Sequence, residues 1–339
     1  MITRKDFDTI VIIADNVSYS RESIGLYDRD SDKAKKSYVK SLILSFEKLF
    51  KNVILYDNPQ LFLENAKKHK NDIIFPYWHG EKSRNKQALI PSICEIEKMV
   101  YVGADAYTNI VCCDKILSKD ICRLAKIVTP KHIVVNNVIT DIDLSLLKYP
   151  LVVKPIYEGS SIGITQDNLI FEDNKEKVIC KVNELSENLN QPIIIEEFIK
   201  GKEISVSIIG WGNNIKAWGA VERYSVEDAN YFDKNLHSFE DKILRAIKIK
   251  DGKQLMSDEN MNKLFQLFNW LDKVEYIRID GKLIDNIFYC FELSHDTTLN
   301  PSGAFFTPFY YEGYDHLKVL ELLIDNCLER YNNQYPNQP

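Results

Sequence analysis

The sequence predicts an α/β fold that becomes α+β in its C-terminal half, and three observations carry that reading. Over the first hundred residues, short apolar runs alternate with stretches of helical spacing, the pattern of a parallel sheet covered on both faces. In the second half, longer apolar runs follow one another through brief turns, as antiparallel strands do. The length, 339 residues and 39.4 kDa, exceeds the ~250–300 residues that one hydrophobic core usually serves, so two or three domains are expected.

The elements follow in order. Residues 10–14 form an apolar strand, and 29–50 read as a helix with Tyr38, Leu42, Phe46 and Leu49 on one face. Strand 53–56, helix 61–69, strand 73–77 and helix 87–99 complete the first unit. A helix over 108–127 ends before Pro130. Strands at 132–136 and 151–156 precede a helix over 171–188 whose alternating charges read as a solvated element. Strands at 193–198, 203–211, 215–224, 276–284 and 287–293 follow, with Gly201 and Gly212-Asn213-Asn214 supplying turns. Residues 225–256 are an insertion of weak periodicity, a lid or a loop. Helices over 259–273 and 314–331 complete the elements, and 334–339 should fray.

Composition excludes several classes of function. With 45% apolar and 27% charged residues, the chain is neither disordered nor of low complexity. Forty-nine acidic and 43 basic residues are interspersed without a long basic run, which disfavours nucleic acid as a partner. The seven cysteines include no CxxC pair and sit mostly in apolar contexts, as expected of reduced, buried thiols; zinc binding and a catalytic cysteine are the alternatives. The N-terminus lacks the apolar core of a signal peptide, and no apolar run is long enough to span a membrane, so a cytoplasmic protein is expected.

Only 13 residues are glycine, about half the usual ~7%, so each one is informative. Two of them, with two serines, fall in Glu158-Gly159-Ser160-Ser161-Ile-Gly163, just after the strand that ends in Lys154-Pro155. Small residues let backbone N–H groups face an anion, and the upstream lysine adds a point charge. Taken alone, a tight hairpin turn without a ligand explains this segment more simply. Glu196 and Glu203 flank a turn between two strands. Arg278 and Asp280 share one strand face, as do Glu292 and Ser294 on the next strand. Acids on adjacent strands suit a hard cation with oxygen ligands, although each acid taken singly reads as solvated.

As a set, these runs resemble the D-alanine–D-alanine ligases of the ATP-grasp superfamily. The matching pieces are Val152-Val153-Lys154-Pro-x-x-Glu158-Gly-Ser-Ser-x-Gly163, Phe75-Pro-Tyr-Trp-His79-Gly80, Asp114-Lys115, the Glu196-to-Glu203 run, Arg278-x-Asp280 and Glu292. The resemblance covers about residues 70–330. It implies an N-terminal α/β domain (1–105), a small ATP-grasp subdomain (106–195) and a large one with the catalytic metal site (196–335), with ATP held between two sheets. It implies an ATP-dependent carboxylate–amine ligase that works through an acyl phosphate on a small-molecule carboxylate and amine, and it suggests a homodimer.

Carried over position by position, Lys115 and Lys154 contact the ATP phosphates, and Ser160, Ser161 and Gly163 close over them, with Glu158 and Gly159 in the same loop. Glu196 meets the adenine edge, beside Glu197 and the backbone of Ile199, and Glu203 accepts from the ribose hydroxyls. Asp280 and Glu292 hold Mg²⁺, or Mn²⁺ in its place, and Arg278 faces the reacting carboxylate.

The chain also departs from the family. Ser294 stands where the third metal ligand is an asparagine, and the Pro-Gly turn that follows is missing; Asp296, two residues on, is a candidate replacement oxygen. The N-terminal Gly-Gly loop is missing, with Glu22 a candidate for the carboxylate that holds the first substrate's amino group. His79 is either a buried strand-end histidine or a substrate contact, and Ser302 and Gly303 fall where the second substrate's carboxylate is gripped. Nucleotide positions mostly persist while amino-acid positions change. The expectation is therefore a ligase with an altered amino-acid site. A true D-alanine–D-alanine ligase and a nucleotide-binding protein without ligase activity are the alternatives.

Overall fold

The computed structural model describes residues 1–18, 23–80, 84–244, 247–295 and 297–334. Its first sheet is parallel, with β1 (Thr9–Ala14), β2 (Asn52–Tyr56), β3 (Ile73–Tyr77) and β4 (Val100–Tyr101) in the order β2-β1-β3-β4. Successive side chains of a strand point to opposite faces, so β1 serves two cores at once. Ile10 and Ile12 pack with Val39, Leu42 and Phe46 of α1 (Lys36–Phe46). Val11 and Ile13 pack with Phe62 of α2 (Pro59–Asn65) and with Ile90 and Cys94 of α3 (Leu89–Glu97). The two-residue strand β4 is too short to carry a sequence period.

The helix expected over 29–50 is shorter than its spacing suggested. Asp28 caps a single 3₁₀ turn, Arg29–Ser31, by accepting from the Asp30 N–H. The chain then runs extended, with the Lys36 N–H donating to the Val17 carbonyl at 2.9 Å, before α1 begins. The helix expected over 108–127 is two helices, α4 (Ala106–Cys113) and α5 (Lys115–Leu124). Asp114 takes an extended conformation between them and caps the second, its carboxylate accepting from the N–H groups of Ile116 and Leu117.

A second sheet contains β5 (His132–Val135), β6 (Leu151–Pro155), β7 (Leu169–Ile170) and β8 (Ile193–Glu197), in the antiparallel order β5-β8-β6-β7. Helix α6 (Lys175–Leu189) is less solvated than its charges implied. Val178, Val182, Leu185 and Leu189 form a stripe that fills the core under this sheet.

The third sheet is antiparallel in the order β11-β10-β9-β12-β13, from β9 (Lys202–Trp211), β10 (Asn214–Ser225), β11 (Ile247–Asp251), β12 (Tyr276–Ile284) and β13 (Ile287–Ser294). One face is sealed by α8 (Asp258–Leu271) together with α4 and α5, whose Val111, Cys112, Ile121 and Cys122 share this core. The insertion at 225–256 is ordered wherever it is described: a 3₁₀ turn at Tyr231–Asp233, α7 (Phe239–Leu244) and β11. After β13 come the short α9 (Thr307–Tyr311) and α10 (His316–Gln334). Val319, Leu320 and Leu323 of α10 pack in the core that holds Ile10 and Ile12 of β1. Residues 335–339, expected to fray, lie outside the described residues. All seven cysteines are free thiols; five are buried, Cys113 is half-buried and Cys180 is exposed. No helix of the described residues is long and apolar enough to cross a membrane.

Candidate active site

The second and third sheets face each other across a cavity of about 380 Å³. Its walls bring together Lys115, Lys154, Glu158, Gly159, Ser160, Ser161, Glu196, Glu197, Ile199, Glu203, Arg278, Asp280, Glu292 and Gly303, positions scattered over nearly 190 residues of sequence. Gly163 lies beside the cavity, at the end of the loop.

The floor is the open face of the third sheet. On β12, residues 278, 280 and 282 share one side. Asp280 is paired directly with Glu292 of β13, and Arg278 with Ser294, so two carboxylates meet across one strand pair. Between Asp280 and Gly281 the pairing slips by one residue, because Gly281 opposes Cys290. The bulge leaves Phe291 as the extra residue and breaks the alternation locally, so Phe291 and Glu292 both line the cavity while Cys290 and Leu293 stay in the core.

Arg278 grips the Asp280 carboxylate, with Nη2 2.6 Å from Oδ2, and also donates from Nη1 to the Thr297 hydroxyl at 2.6 Å. The Ser205 hydroxyl donates to Asp280 as well. Burial opposes ionisation of Asp280, but Arg278 and Arg223 outweigh it and hold the carboxyl well below the usual carboxylate range. One row further along the sheet, Arg223, Glu203 and Lys282 lie side by side on β10, β9 and β12, positive flanking negative. Burial would raise the Glu203 carboxyl, yet His237, Arg223 and Lys282 bring it below its ordinary value. Burial lowers Lys282 to about 8 against the pull of Glu203 and Asp233.

The opposite wall is built on β6 and β8. Lys154 and Glu196 form a close ion pair, and Lys119 of α5 reaches the second oxygen of the same carboxylate at 2.9 Å. Burial works against the charge of Glu196, but the two ammonium groups hold its carboxyl down to about 2. Burial likewise lowers Lys154, helped by Lys119 and Lys115 and resisted by Glu196. Lys115 begins α5, directly after the Asp114 cap. Its Nζ donates to the Glu158 carbonyl at 2.6 Å and lies 3.2 Å from Glu292, which links the loop at 158–163 to the carboxylate on β13.

In that loop Ser160, Ser161 and Gly163 all have positive φ, at 50°, 62° and 72°. For the two serines this left-handed backbone is strained. Partners on three sides hold it in place. The Ser160 hydroxyl donates to Asp32 at 2.7 Å, the Ser161 hydroxyl donates to the His237 carbonyl at 2.9 Å, and the Gly163 N–H donates to the Leu26 carbonyl at 3.0 Å. Glu158 accepts from Arg29 and from Gln191, both at 2.7 Å. The loop is therefore closed between the N-terminal segment and the insertion, whose Leu236, His237 and Lys242 also line the cavity.

A smaller pocket of about 70 Å³ adjoins the cavity, lined by Asp32, Lys86, Gln87, Cys113, Ser294 and Thr297 along with Arg278 and Glu292. Ser294 faces this side rather than the main cavity. Of the remaining expected positions, His79 is buried at the end of β3, its N–H donating to Asp15 at 2.7 Å, and lines a separate small cavity. Ser302 is exposed, and Thr298, Asn300 and Ala304 line the cavity beside Gly303 instead. Glu22 and Asp296 lie outside the described residues.

Sequence reasoning missed Lys119, Arg223, His237, Lys282, Asp32 and Lys86. For two of them a signal existed: Lys282 continues the alternation from Arg278 and Asp280, and Lys119 follows Lys115 by one helical turn.

Comparisons with known proteins agree with this fold. The family model described as D-ala D-ala ligase C-terminus matches residues 126–295, half of the chain. A D-alanine–D-alanine ligase of Pelagibacter ubique is 28% identical over 300 residues, 83% of this chain and 90% of that protein. One from Carboxydothermus hydrogenoformans is 30% identical over 171 residues, about half of each chain (48% and 52%). Among solved structures, a D-alanine–D-alanine ligase of Bacillus anthracis complexed with ATP superimposes with a TM-score of 0.70 at 18% identity, covering 96% of this chain and 99% of that one. The ligase structure from Coxiella burnetii gives 0.67 at 14% identity, with 97% of each chain covered. At such identities these structural matches speak to the shared fold.

Proposed function

Because the chain belongs to the D-alanine–D-alanine ligase family, an ATP-grasp family, we propose that its cavity binds ATP and joins a small carboxylate to a small amine. The observation that carries this is the facing pair Asp280 and Glu292, set in one cavity with Lys115, Lys154, Arg278 and the loop at 158–161. Phosphoryl transfer asks mainly for positioning and charge stabilisation, and this set offers both.

In the proposed reaction, a substrate carboxylate oxygen attacks the γ-phosphorus of ATP, and ADP leaves. The amine of the second substrate then attacks the acyl carbon, loses a proton and expels inorganic phosphate, leaving an amide. Lys154 and Lys115 lie where the phosphates would pass. One carboxylate partner fixes the direction of Lys154 and leaves ammonium hydrogens to donate, while Lys115, already met by the carbonyls of Ile156 and Glu158 and by Glu292, would contribute its charge. Arg278 sits between the large cavity and the smaller pocket, placed to hold the reacting carboxylate. The loop at 158–163 and the insertion residues 236–242 exclude water, which would hydrolyse the acyl phosphate.

The oxygen donors fit Mg²⁺, which takes one or two carboxylates and completes its shell with phosphate oxygens and water. Asp280 and Glu292 would hold it, with Ser294 adjacent. Among the described residues no cluster of three or more His, Cys, Asp or Glu could hold an ion by itself, so substrate or water oxygens would have to complete the shell. When bound, the ion neutralises charge on the phosphate oxygens. We place the amino-acid end in the 70 Å³ pocket, with Asp32 for an ammonium group and Lys86 for a carboxylate.

D-alanine at both positions is the narrower reading, favoured by the activity for which the similar ligases are named. The homodimer is carried with it, to be read by light scattering. The deciding experiment measures ADP release with Mg²⁺ against D- and L-amino acids and small hydroxy acids, with products identified by mass. Substrate-dependent ADP together with an amide product supports the proposal. No substrate-dependent ADP from any of these compounds would sink it.

A further inference from the structure

Behind the cavity wall lies a lysine to which the proposed reaction assigns no role. Lys119 is 1% exposed, one turn after Lys115 on the inward side of α5, and its Nζ meets Oε2 of Glu196 at 2.9 Å. The other oxygen of Glu196 holds Lys154. Glu196 and Lys154 line the cavity, whereas Lys119 does not. One carboxylate is thus shared by two ammonium groups, one facing the ligand side and one hidden.

Fold stability alone does not account for this arrangement. Burying a lysine is costly, and a buried ion pair is often no more stabilising than apolar residues of the same volume. Two lysines at i and i+4 on one helix face also repel each other. Here each is answered by an acid from a strand, Lys115 by Glu292 and Lys119 by Glu196.

We propose that Lys119 is a positioning residue for the nucleotide: it neutralises Glu196 from behind, so that the charge of Lys154 remains available to an anionic ligand. Without Lys119, Glu196 and Lys154 close into a neutral pair. With it, the trio carries one net positive charge, and the part facing the cavity is Lys154. The same contact fixes the Glu196 carboxylate, so the direction of Lys154 is set by a group that the ligand never touches. This rests on reading the cavity as an ATP site.

The test is ATP affinity by calorimetry on the full chain, with thermal melts as the folding control. Lys119→Met should weaken ATP binding about ten-fold or more, as loss of one effective charge at short range implies. kcat at saturating ATP should change far less, and Lys119→Arg should restore most of the affinity. A purely structural lysine would move the melt and leave this split between affinity and kcat unaltered.

Once Glu196 is neutral, Lys119 has no carboxylate to compensate. Lys119→Met/Glu196→Gln restores the one net positive charge of wild type, so it should bind ATP more tightly than Lys119→Met. If Lys119→Met alone does not fold, the double variant, which leaves no unpaired carboxylate, is compared with Glu196→Gln and should bind ATP more weakly, having one positive charge fewer. Folded Lys119→Met with ATP affinity within two-fold of wild type overturns the proposal. So does a double variant that binds ATP no more tightly than Lys119→Met or, where Lys119→Met does not fold, as tightly as Glu196→Gln. Wild-type protein that fails to bind ATP overturns the nucleotide reading itself, a different result from wild-type binding that the variants leave unchanged.

Discussion

Replacing Gly281 with alanine should pull the two facing carboxylates apart while leaving the rest of the fold in place. Gly281 follows Asp280 at the bulge, where β13 passes close to β12. A Cβ there would lie 2.7 Å from Phe288 Cζ and closer still to the Tyr289 carbonyl oxygen. Carbon contacts settle at about 3.5–4.0 Å, so the neighbours must retreat by about 1 Å. The phenyl ring can turn, but the carbonyl belongs to the backbone of β13, and moving it moves Glu292 three residues on. Overpacking of this kind costs about 1–3 kcal/mol. With an unfolding entropy of about 2.1 cal/mol/K per residue over 339 residues, Tm should fall by about 1–4 °C.

Activity should suffer more than stability, because a misplacement of about 1 Å at a reacting centre costs on the order of 100-fold. The assay is ADP release as a function of Mg²⁺ at saturating ATP and amino acid, beside a thermal melt. The expected result is a lower kcat and a higher Mg²⁺ requirement with Tm only slightly reduced. A Gly281→Ala protein with wild-type kcat and wild-type Mg²⁺ dependence would refute the claim that the bulge sets the spacing of Asp280 and Glu292.

Three further outcomes are expected. Asp114→Ala removes the cap of α5, which should cost about 1 kcal/mol and raise the KM for ATP by loosening Lys115; an unchanged KM counts against the cap as a positioning device. Arg278→Ala should lower kcat by orders of magnitude while calorimetry still shows ATP binding, and loss of ATP binding instead would assign Arg278 to the nucleotide. Glu196 titrates at about 2 in the folded chain against 4.5 ordinarily, so as pH falls the unfolded chain takes up the proton first. Its stabilising contribution is complete above pH 4.5 and is lost as pH drops towards 2, about 3 kcal/mol in all. Urea melts in that window should give a flatter pH dependence for Glu196→Gln than for wild type, and equal slopes would contradict the paired geometry.

The parts of this fold that were legible in sequence are those governed by local period. β3 spans Ile73–Tyr77, as its apolar run predicts, and the face shared by Arg278 and Asp280 follows from alternation alone. The misreadings came where a capping aspartate or a distant partner outweighed spacing. Asp114 fits a continuous helix by pattern, yet its side chain satisfies the N–H groups of the next turn more directly by ending one helix and starting another. The stretch at 32–35 leaves helical geometry because Val17 offers it a backbone partner.

That same departure puts Asp32 on Ser160, 128 residues away, and no local motif encodes such a pairing. Phe291 was hidden for a related reason: alternation assigns it to the core, and only the bulge turns it towards Lys154, whose Nζ lies 5.6 Å from its ring centre. The residues proposed for the nucleotide were readable because they sit in contiguous runs. Those proposed for the amino acid were not, because they come singly from several elements.

The packing of α10 against β1 bears on the order of events during synthesis. Ile10 and Ile12 share a core with Leu320 and Leu323, and the Asn332 side chain bonds both backbone groups of Ile2 at 2.7–2.8 Å. At about 5–20 residues per second, a ribosome needs roughly 15–60 s to travel from Ile10 to Leu320. For the part of that interval after β4 has been made, one face of the first sheet lacks its final cover. The nascent chain must therefore keep that apolar surface from other chains until α10 emerges, so β1 reaches its finished state only long after it has been made.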